Sequence, residues 1–311
     1  MKKISLFITF FNINLVAFAQ LNPTDSLRNL ANSEYPFLYK ENSEMSYTSP
    51  FGEIGAKSKY ILNGRLTTTY MILASERLPI AFSLNPDFTA RVRHEKSAAV
   101  RTPSFKLGGT IYLRLSPNIV NYHYLEIAFT HHSNGQDGRA KLDDGAINVI
   151  DGNFNTNYLT ASYRFAKFLR RPYAKSDIGL HQKISLQWHK WFAYEPVLEG
   201  DYGFSRVNYE LSTRFYDRLE EKLGREKLRL VGTFSYAINK FQRYTFFSVK
   251  RRLNAELGLH YALPFMQNSF LMSTLGYYGE DPYNIYFKDR YAFLRLGISS
   301  TFTKAHKKNR K

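Results

Sequence analysis

The segment Thr130-His131-His132-Ser133-Asn134-Gly135 holds the side chains of an activated nucleophile. A serine hydroxyl attacks an acyl carbonyl when a neighbouring base takes its proton, and an imidazole can do so near neutral pH. The segment ends an otherwise apolar run, residues 124–130, that reads as a strand. Strand side chains alternate between faces, so His131 and Ser133 project together and His132 projects the other way. Alternation also rules against a shared metal role for the adjacent pair His131 and His132. Leu125, Ile127 and Phe129 lie on the face of His131 and Ser133, while Tyr124, Glu126, Ala128 and Thr130 lie on that of His132. A third group has to hold the imidazole in the right tautomer from the same face of a neighbouring strand. The next extended run, 157–165, starts its apolar face with Asn157, followed by Leu159, Ala161, Tyr163 and Phe165. An asparagine oxygen can accept the imidazole N–H without bringing a charge to an apolar face. The plainer alternative is that these are polar residues at a strand end.

The elements that must position them are strands almost throughout. Leu253, Ala255, Leu257 and Leu259 alternate with Asn254, Glu256, Gly258 and His260; Ile184, Leu186 and Trp188 alternate with Ser185, Gln187 and His189. Period-two alternation marks strands with one apolar and one polar face. Such segments fall near 60–73, 79–93, 104–116, 121–133, 156–168, 181–194, 204–217, 227–238, 242–250, 252–262, 268–278 and 290–302. Their length suits tilted strands that cross a bilayer in roughly 9–11 residues. The expected fold is all-β: a transmembrane antiparallel β-barrel of about twelve strands, closed so that no edge is left unpaired in lipid. A secreted soluble sandwich or barrel is the alternative. In the membrane barrel His131 and Ser133 face lipid and His132 faces the lumen. Abundant Tyr (23) and Phe (25) suit interfacial girdles, and Trp188 and Trp191 read as anchors there. Residues 216–227 are a short amphipathic helix or a charged turn. Lys250-Arg251-Arg252 reads as a headgroup-level turn.

The chain has 311 residues and no cysteine, which removes a disulfide scaffold, a thiol nucleophile and a cysteine zinc site. Its mean hydropathy of -0.38 argues against a bundle of membrane helices. No stretch after the N-terminus reaches the 18 or so unbroken apolar residues of a spanning helix. Met1-Lys2-Lys3, the apolar run behind it and Ala17-Phe18-Ala19 read as a secretory signal peptide over 1–19. Residues 20–57 read as an N-terminal extension with a short helix near Asp25–Asn32, 58–303 as the barrel with a catalytic hairpin over 121–168, and 304–311 as a basic tail. The formal charge of +17 describes either a solvated basic surface or one drawn to anionic headgroups and lipopolysaccharide phosphates. Nucleic acid is not an expected partner for an exported chain.

His131-x-Ser133-Asn134-Gly135, with Asn157 on the next strand, resembles the motif of the outer-membrane phospholipase A family. Residues 190–212 resemble the stretch after that family's catalytic hairpin, and 255–264 and 276–302 resemble its last strands. The resemblance implies a twelve-stranded outer-membrane barrel that hydrolyses phospholipid and lysophospholipid acyl esters with a Ser–His–Asn triad on its outer wall. Carried over by position, Ser133 is the nucleophile, His131 the base, Asn157 the orienter and the Gly135 N–H an oxyanion donor. The resemblance further implies a calcium ion bound across a homodimer, with the Gln136 carbonyl and Ser97 matching ligand positions. The loop between Ser133 and Asn157 is longer than the family's. Its acids, Asp143 and Asp144 among them, read either as calcium ligands or as solvated loop carboxylates. A non-catalytic porin or adhesin barrel is the competing reading.

Overall fold

The computed structural model describes residues 25–301 except 76, 96–99, 170–175, 219–222 and 267. The expected signal peptide, Ser97 and the basic tail lie outside the described residues.

A strand in hydrocarbon needs a hydrogen-bonded neighbour on each side, because no water is there to take up its N–H and C=O groups. The chain forms β1 (Ser46–Ser49), β2 (Tyr60–Thr67), β3 (Tyr70–Ala74), β4 (Ile80–Leu84), β5 (Asp87–Arg93), β6 (Ser104–Arg114) and β7 (His123–Ser133). It continues with β8 (Asn155–Leu169), β9 (Ser176–Trp188), β10 (Ser205–Arg218), β11 (Leu223–Ala237), β12 (Leu253–Tyr261), β13 (Ser269–Tyr278) and β14 (Tyr291–Ser300). Antiparallel pairing runs from β7 through β14 to β1, β2, β5 and β6, and β6 then pairs with β7 to close a ring of 12 strands. β3 and β4 continue β2 and β5 past a break at Thr68-Thr69 and Asn85-Pro86. There Pro86, with no N–H to donate, accepts from Thr68 N–H at 3.2 Å. β4 and β5 pair in turn with the same strand, β6.

The expected strand over 242–250 does not form. β11 and β12 are already direct partners, with Tyr236 opposite Leu253, so nothing can be inserted between them. The segment is instead a loop ending in the short helix α2 (Val249–Arg252). The missing strand is β1, inside the segment expected as an extension, where four residues are too few to show alternation. Of the charged segment 216–227, the described residues end β10 and open β11, which pair with each other, so these form no helix.

The barrel is apolar outside and polar within. Leu257 and Leu275 on the outer face are each 60% exposed, and Leu107, Ile111, Ile127 and Phe129 are exposed as well. An apolar belt around a polar interior inverts the order of a water-soluble protein and fits a bilayer. Inside, charges are paired: Arg164 with Glu126 (3.0 Å) and Glu210 (3.2 Å), Lys183 with Glu126 (2.9 Å), Arg91 with Asp281 (2.5 Å), and Arg295 with Glu53 (2.5 Å). A buried charge deprived of its partner would be costly, so these pairs are a condition of the polar interior.

The helix α1 (Asp25–Glu41) extends beyond the expected Asp25–Asn32, through Pro36. It lies across the lumen at the end that carries the β6–β7 turn. Arg114 of β6 donates to Asn32 Oδ1 (2.7 Å) and Arg214 of β10 to Asn42 Oδ1 (3.0 Å). Tyr35 Oη donates to the Ser116 and Asn118 carbonyls at 2.6 and 3.0 Å. Tyr39 stacks on Tyr112 with ring centres 4.2 Å apart and meets the edge of Tyr124 at 4.8 Å. The opposite end is capped by loops whose apolar core includes Phe154, Leu198, Tyr202, Phe204, Ile285 and Phe287. Arg252 organises one of these loops. It donates to the carbonyls of Ala237 (2.7 Å), Asn239 (2.8 Å) and Thr245 (2.7 Å) and lies over the Phe241 ring. Arg251 and Arg252 are therefore buried, and of the expected headgroup-level run only Lys250 is exposed.

Tyr39→Ala removes the ring at the centre of this aromatic contact. It is expected to lower barrel stability by about 3 kcal/mol while the folded barrel still assembles, as read from urea unfolding monitored by tyrosine and tryptophan fluorescence.

Candidate active site on the outer wall

β7 and β8 form the hairpin that holds the candidate residues, and their register sets His131 directly opposite Asn157 and Ser133 opposite Asn155. On the other side β6 places Leu107 opposite His131 and Phe105 opposite Ser133. Tyr124 and His132 on the intervening face are buried in the lumen, at 0% and 2% exposure. His132 Nε2 lies 2.8 Å from Ser104 Oγ and 3.0 Å from the Tyr283 carbonyl, and its ring abuts Phe154. It thus joins the barrel wall to the cap and takes no part in the outer face.

His131 Nδ1 and Asn157 Oδ1 are 2.9 Å apart. The direction of this bond follows from the next one. Asn157 Nδ2 donates to the Ala193 carbonyl at 2.7 Å, and the same carbonyl accepts Asn157 N–H at 3.0 Å. With its amide N–H committed there, Asn157 presents oxygen to the imidazole. Nδ1 then carries the proton, and Nε2 is left as an acceptor. That is the tautomer a general base requires. Behind the start of β8, His189 Nδ1 is 2.6 Å from Thr156 Oγ1, and burial followed by the nearby Arg206 charge pulls its imidazole down to about 3. His189 is thus a neutral support.

Ser133 lies two residues from His131 on the same face and has no side-chain hydrogen bond among the described residues. Rotation of its hydroxyl is unrestrained by any other partner, and among the described residues no hydrogen bond joins it to His131. Gly135, at φ +67°, turns the chain away from the strand; a Cβ there would stand 3.5 Å from the Phe105 ring. Its N–H has no acceptor among the described residues.

The fully buried Asn134 makes this turn rigid. Its Nδ2 donates to the Gly152 carbonyl (2.8 Å), its Oδ1 accepts Phe154 N–H (2.9 Å) and Gln136 N–H (3.3 Å), and its own N–H reaches the Phe154 carbonyl (3.1 Å). Beyond it, residues 138–152 form a loop pinned by a parallel bridge between Gly138 and Gly152 and, nearer its tip, by an antiparallel bridge between Lys141 and Ile147 that makes a small hairpin. Asp143 and Asp144 lie at its exposed tip, where Asp143 pairs with Arg139 (3.1 Å) and Asp144 accepts Ala146 N–H (2.9 Å). Of the expected metal-binding residues that are described, Gln136 follows the serine by three positions, while Asp143 and Asp144 lie at the loop tip.

Three further residues matter here that were not singled out from the sequence. Asn134 gave a signal only as part of the motif, and the Ala193 carbonyl gave none, since it arrives from a loop that follows another strand. Asn155 was accessible in principle: it lies two residues before Asn157 on the same face, and its buried Oδ1 has no hydrogen-bond partner among the described residues. Around the polar cluster the wall is apolar. Phe192, in the loop that supplies Ala193, packs edge-on against Phe129 at 5.3 Å, and Trp191 is 77% exposed.

Asn134→Ala would strip the turn of three hydrogen bonds from a buried side chain. The expected result is an intact barrel whose 138–152 loop becomes open to limited proteolysis, measured by mass spectrometry of the fragments.

No family model matches the chain, and no curated protein is significantly similar in sequence. Among solved structures, the outer membrane phospholipase A from Escherichia coli is similar in fold, with a TM-score of 0.51 and 11% identity over 84% of this chain and 98% of that one. Omp33 of Acinetobacter baumannii aligns over 83% of this chain and 96% of its own, with a TM-score of 0.35 and 10% identity. At this identity the likeness to the phospholipase is one of fold: an outer-membrane β-barrel.

Proposed function

We propose that the protein is an outer-membrane phospholipase A that hydrolyses acyl esters of phospholipids and lysophospholipids on the lipid-facing wall of its barrel. The observation that carries this reading is the relay from the Ala193 carbonyl through Asn157 to His131, ending two residues from an unencumbered serine. In the reaction, His131 Nε2 takes the Ser133 hydroxyl proton as Oγ adds to the acyl carbonyl. The Gly135 N–H donates to the oxyanion that forms. Collapse of the tetrahedral species breaks the ester bond, and His131 returns the proton to the departing lysophospholipid alkoxide. A water then gives a proton to His131 as its oxygen adds to the acyl-serine carbonyl, and collapse releases the fatty acid while His131 returns that proton to Ser133 Oγ. Asn157 holds the imidazole throughout and stabilises its protonated form without a carboxylate that lipid would penalise. Leu107, Phe129, Leu159 and Phe192 supply an apolar bed for the acyl chain or for a second copy in a homodimer. The fold likeness to a phospholipase supports this reading. So do α1 across the lumen and the paired interior charges, which disfavour a passive pore.

Calcium assistance is part of the proposal. Gln136 would contribute its main-chain oxygen, with Ser97 as the other ligand the resemblance implies. Asp143 and Asp144, held at the hairpin tip, do not complete the six to eight oxygens that the ion takes. The remaining ligands would come from water, lipid or a second copy. Bound there, the ion would supply positive charge to the oxyanion.

Ser133→Ala is expected to refold as a heat-modifiable barrel and to lose ester hydrolysis by at least about 10³-fold, with no adduct from a fluorophosphonate probe that labels the native serine. Full turnover by this variant would overturn the assignment. Chelation by EDTA is expected to silence the native protein and added calcium to restore it; turnover that persists in EDTA would remove the metal and leave the triad.

A further inference from the structure

The capped end of the barrel holds a second polar site. Four loops, between β1 and β2, β9 and β10, β11 and β12, and β13 and β14, surround a cleft of about 260 Å³. Five cationic side chains line it, Lys57, Arg243, Arg251, Lys288 and Arg290, against the single carboxylate of Asp201. That carboxylate is already shared between Lys141 (2.8 Å) and Lys288 (3.4 Å). Lys57 pairs with Asp289 at 3.1 Å, and the buried Arg251 donates to the carbonyls of Gly279 (2.8 Å) and Phe287 (3.1 Å). Arg243 and Arg290 are exposed and have no carboxylate partner among the described residues. Arg243 and Arg290, whose charge no described carboxylate offsets, thus converge on one cleft beside three further cations that are paired, Lys57 with Asp289, Lys288 with Asp201 and Arg251 with Glu280 at 4.0 Å. Like charges held together repel, and a multiply charged anion relieves them; the guanidinium fork matches phosphate oxygens in pairs.

An apolar strip adjoins the cleft. The loop that carries Arg243 goes on to expose Tyr244, Phe246, Phe247 and Val249, with Phe247 85% exposed. This loop is tied to the outer wall: Tyr236 Oη donates to the Phe246 carbonyl, the Tyr236 and Phe246 rings lie 5.6 Å apart, and Tyr277 Oη donates to the Lys250 carbonyl at 2.5 Å. Tyr236 lies on the face of Leu230 and Phe234, which is the lipid-facing one. A basic cleft and an apolar strip therefore meet at the rim of the membrane belt.

We propose that this cleft binds the phosphate group of an anionic membrane lipid, with the lipid's acyl part lying against Phe247 and Val249. The site is built from loops other than the β7–β8 hairpin and does not depend on Ser133.

The test uses the full-chain barrel in dodecylmaltoside micelles, titrated with dioctanoyl phosphatidic acid, dioctanoyl phosphatidylcholine or inorganic pyrophosphate and read by native mass spectrometry. Ser133→Ala serves as the background so that no lipid is consumed. Phosphatidic acid is expected to bind at least tenfold more tightly than phosphatidylcholine, and the double variant Arg243→Ala/Arg290→Ala to abolish that preference. Both arginines are exposed and have no carboxylate partner among the described residues, so the variant should keep its fold, checked by heat-modifiable migration and, in a separate protein that retains the native Ser133, by unchanged ester turnover. Phe247→Ser should weaken phosphatidic acid binding without changing pyrophosphate binding. Equal binding of the two lipids, or a preference that survives loss of both arginines, would overturn the proposal. Pyrophosphate binding as tightly as the lipid would also overturn it, since the cleft would then be a site for soluble phosphate.

Discussion

A sheet that meets hydrocarbon has to close on itself, because an unpaired backbone edge there costs several kcal/mol per group. In this chain closure rests on two unequal contacts. The β6–β7 pairing is long, running from Phe105 opposite Ser133 to Arg114 opposite Tyr124. The other depends on the four residues of β1, wedged between β2 and β14. A strand that short carries little packing of its own. Its place is set by the need of both neighbours for a partner.

Closure makes every alternating side chain choose between lipid and lumen, and the polar ones are gathered inside. There each charge needs a counter-charge or a polar acceptor within reach. Arg164 with two glutamates, Arg91 with Asp281, and Arg295 with Glu53 meet that need. The same interior accounts for α1. Its Asn32 and the following Asn42 receive arginines from β6 and β10, and its tyrosines join a stack with β6 and β7. The helix is therefore an interior element, although by sequence it belongs to an extension.

On the lipid face the constraint is reversed, and few polar groups can be afforded. The cluster at the end of β7 uses no carboxylate, lysine or arginine: it consists of a serine, an imidazole, an asparagine and a backbone carbonyl. Each polar atom of Asn157 is bound, one to His131 and the other to Ala193. An aspartate would leave the Ala193 carbonyl without its side-chain donor and bring a charge to the membrane boundary. Both faces thus follow the tendency of polar groups away from water to be paired, and on the outer wall the Ser133 hydroxyl and the buried Asn155 Oδ1 stand out for having no partner among the described residues.

Strand type and facing were legible in the sequence because alternation is local. Period two placed His131, Ser133 and Asn157 on one face and His132 on the other, and the structure has that arrangement. The number of strands was legible too, through segment length, but one member was misplaced. Residues 242–250 alternate like a strand, yet β11 and β12 had already paired, and only tertiary contacts could show it. What the sequence determined by itself was the periodicity, hence which side chains share a wall. The tertiary structure decided which loop carbonyl orients Asn157, that Asn134 pins the turn at Gly135, and that Asp143 and Asp144 end at a hairpin tip. Those outcomes depend on segments far apart in the chain meeting at one rim. Local spacing carries no information about such meetings, because the barrel's closure brings them together.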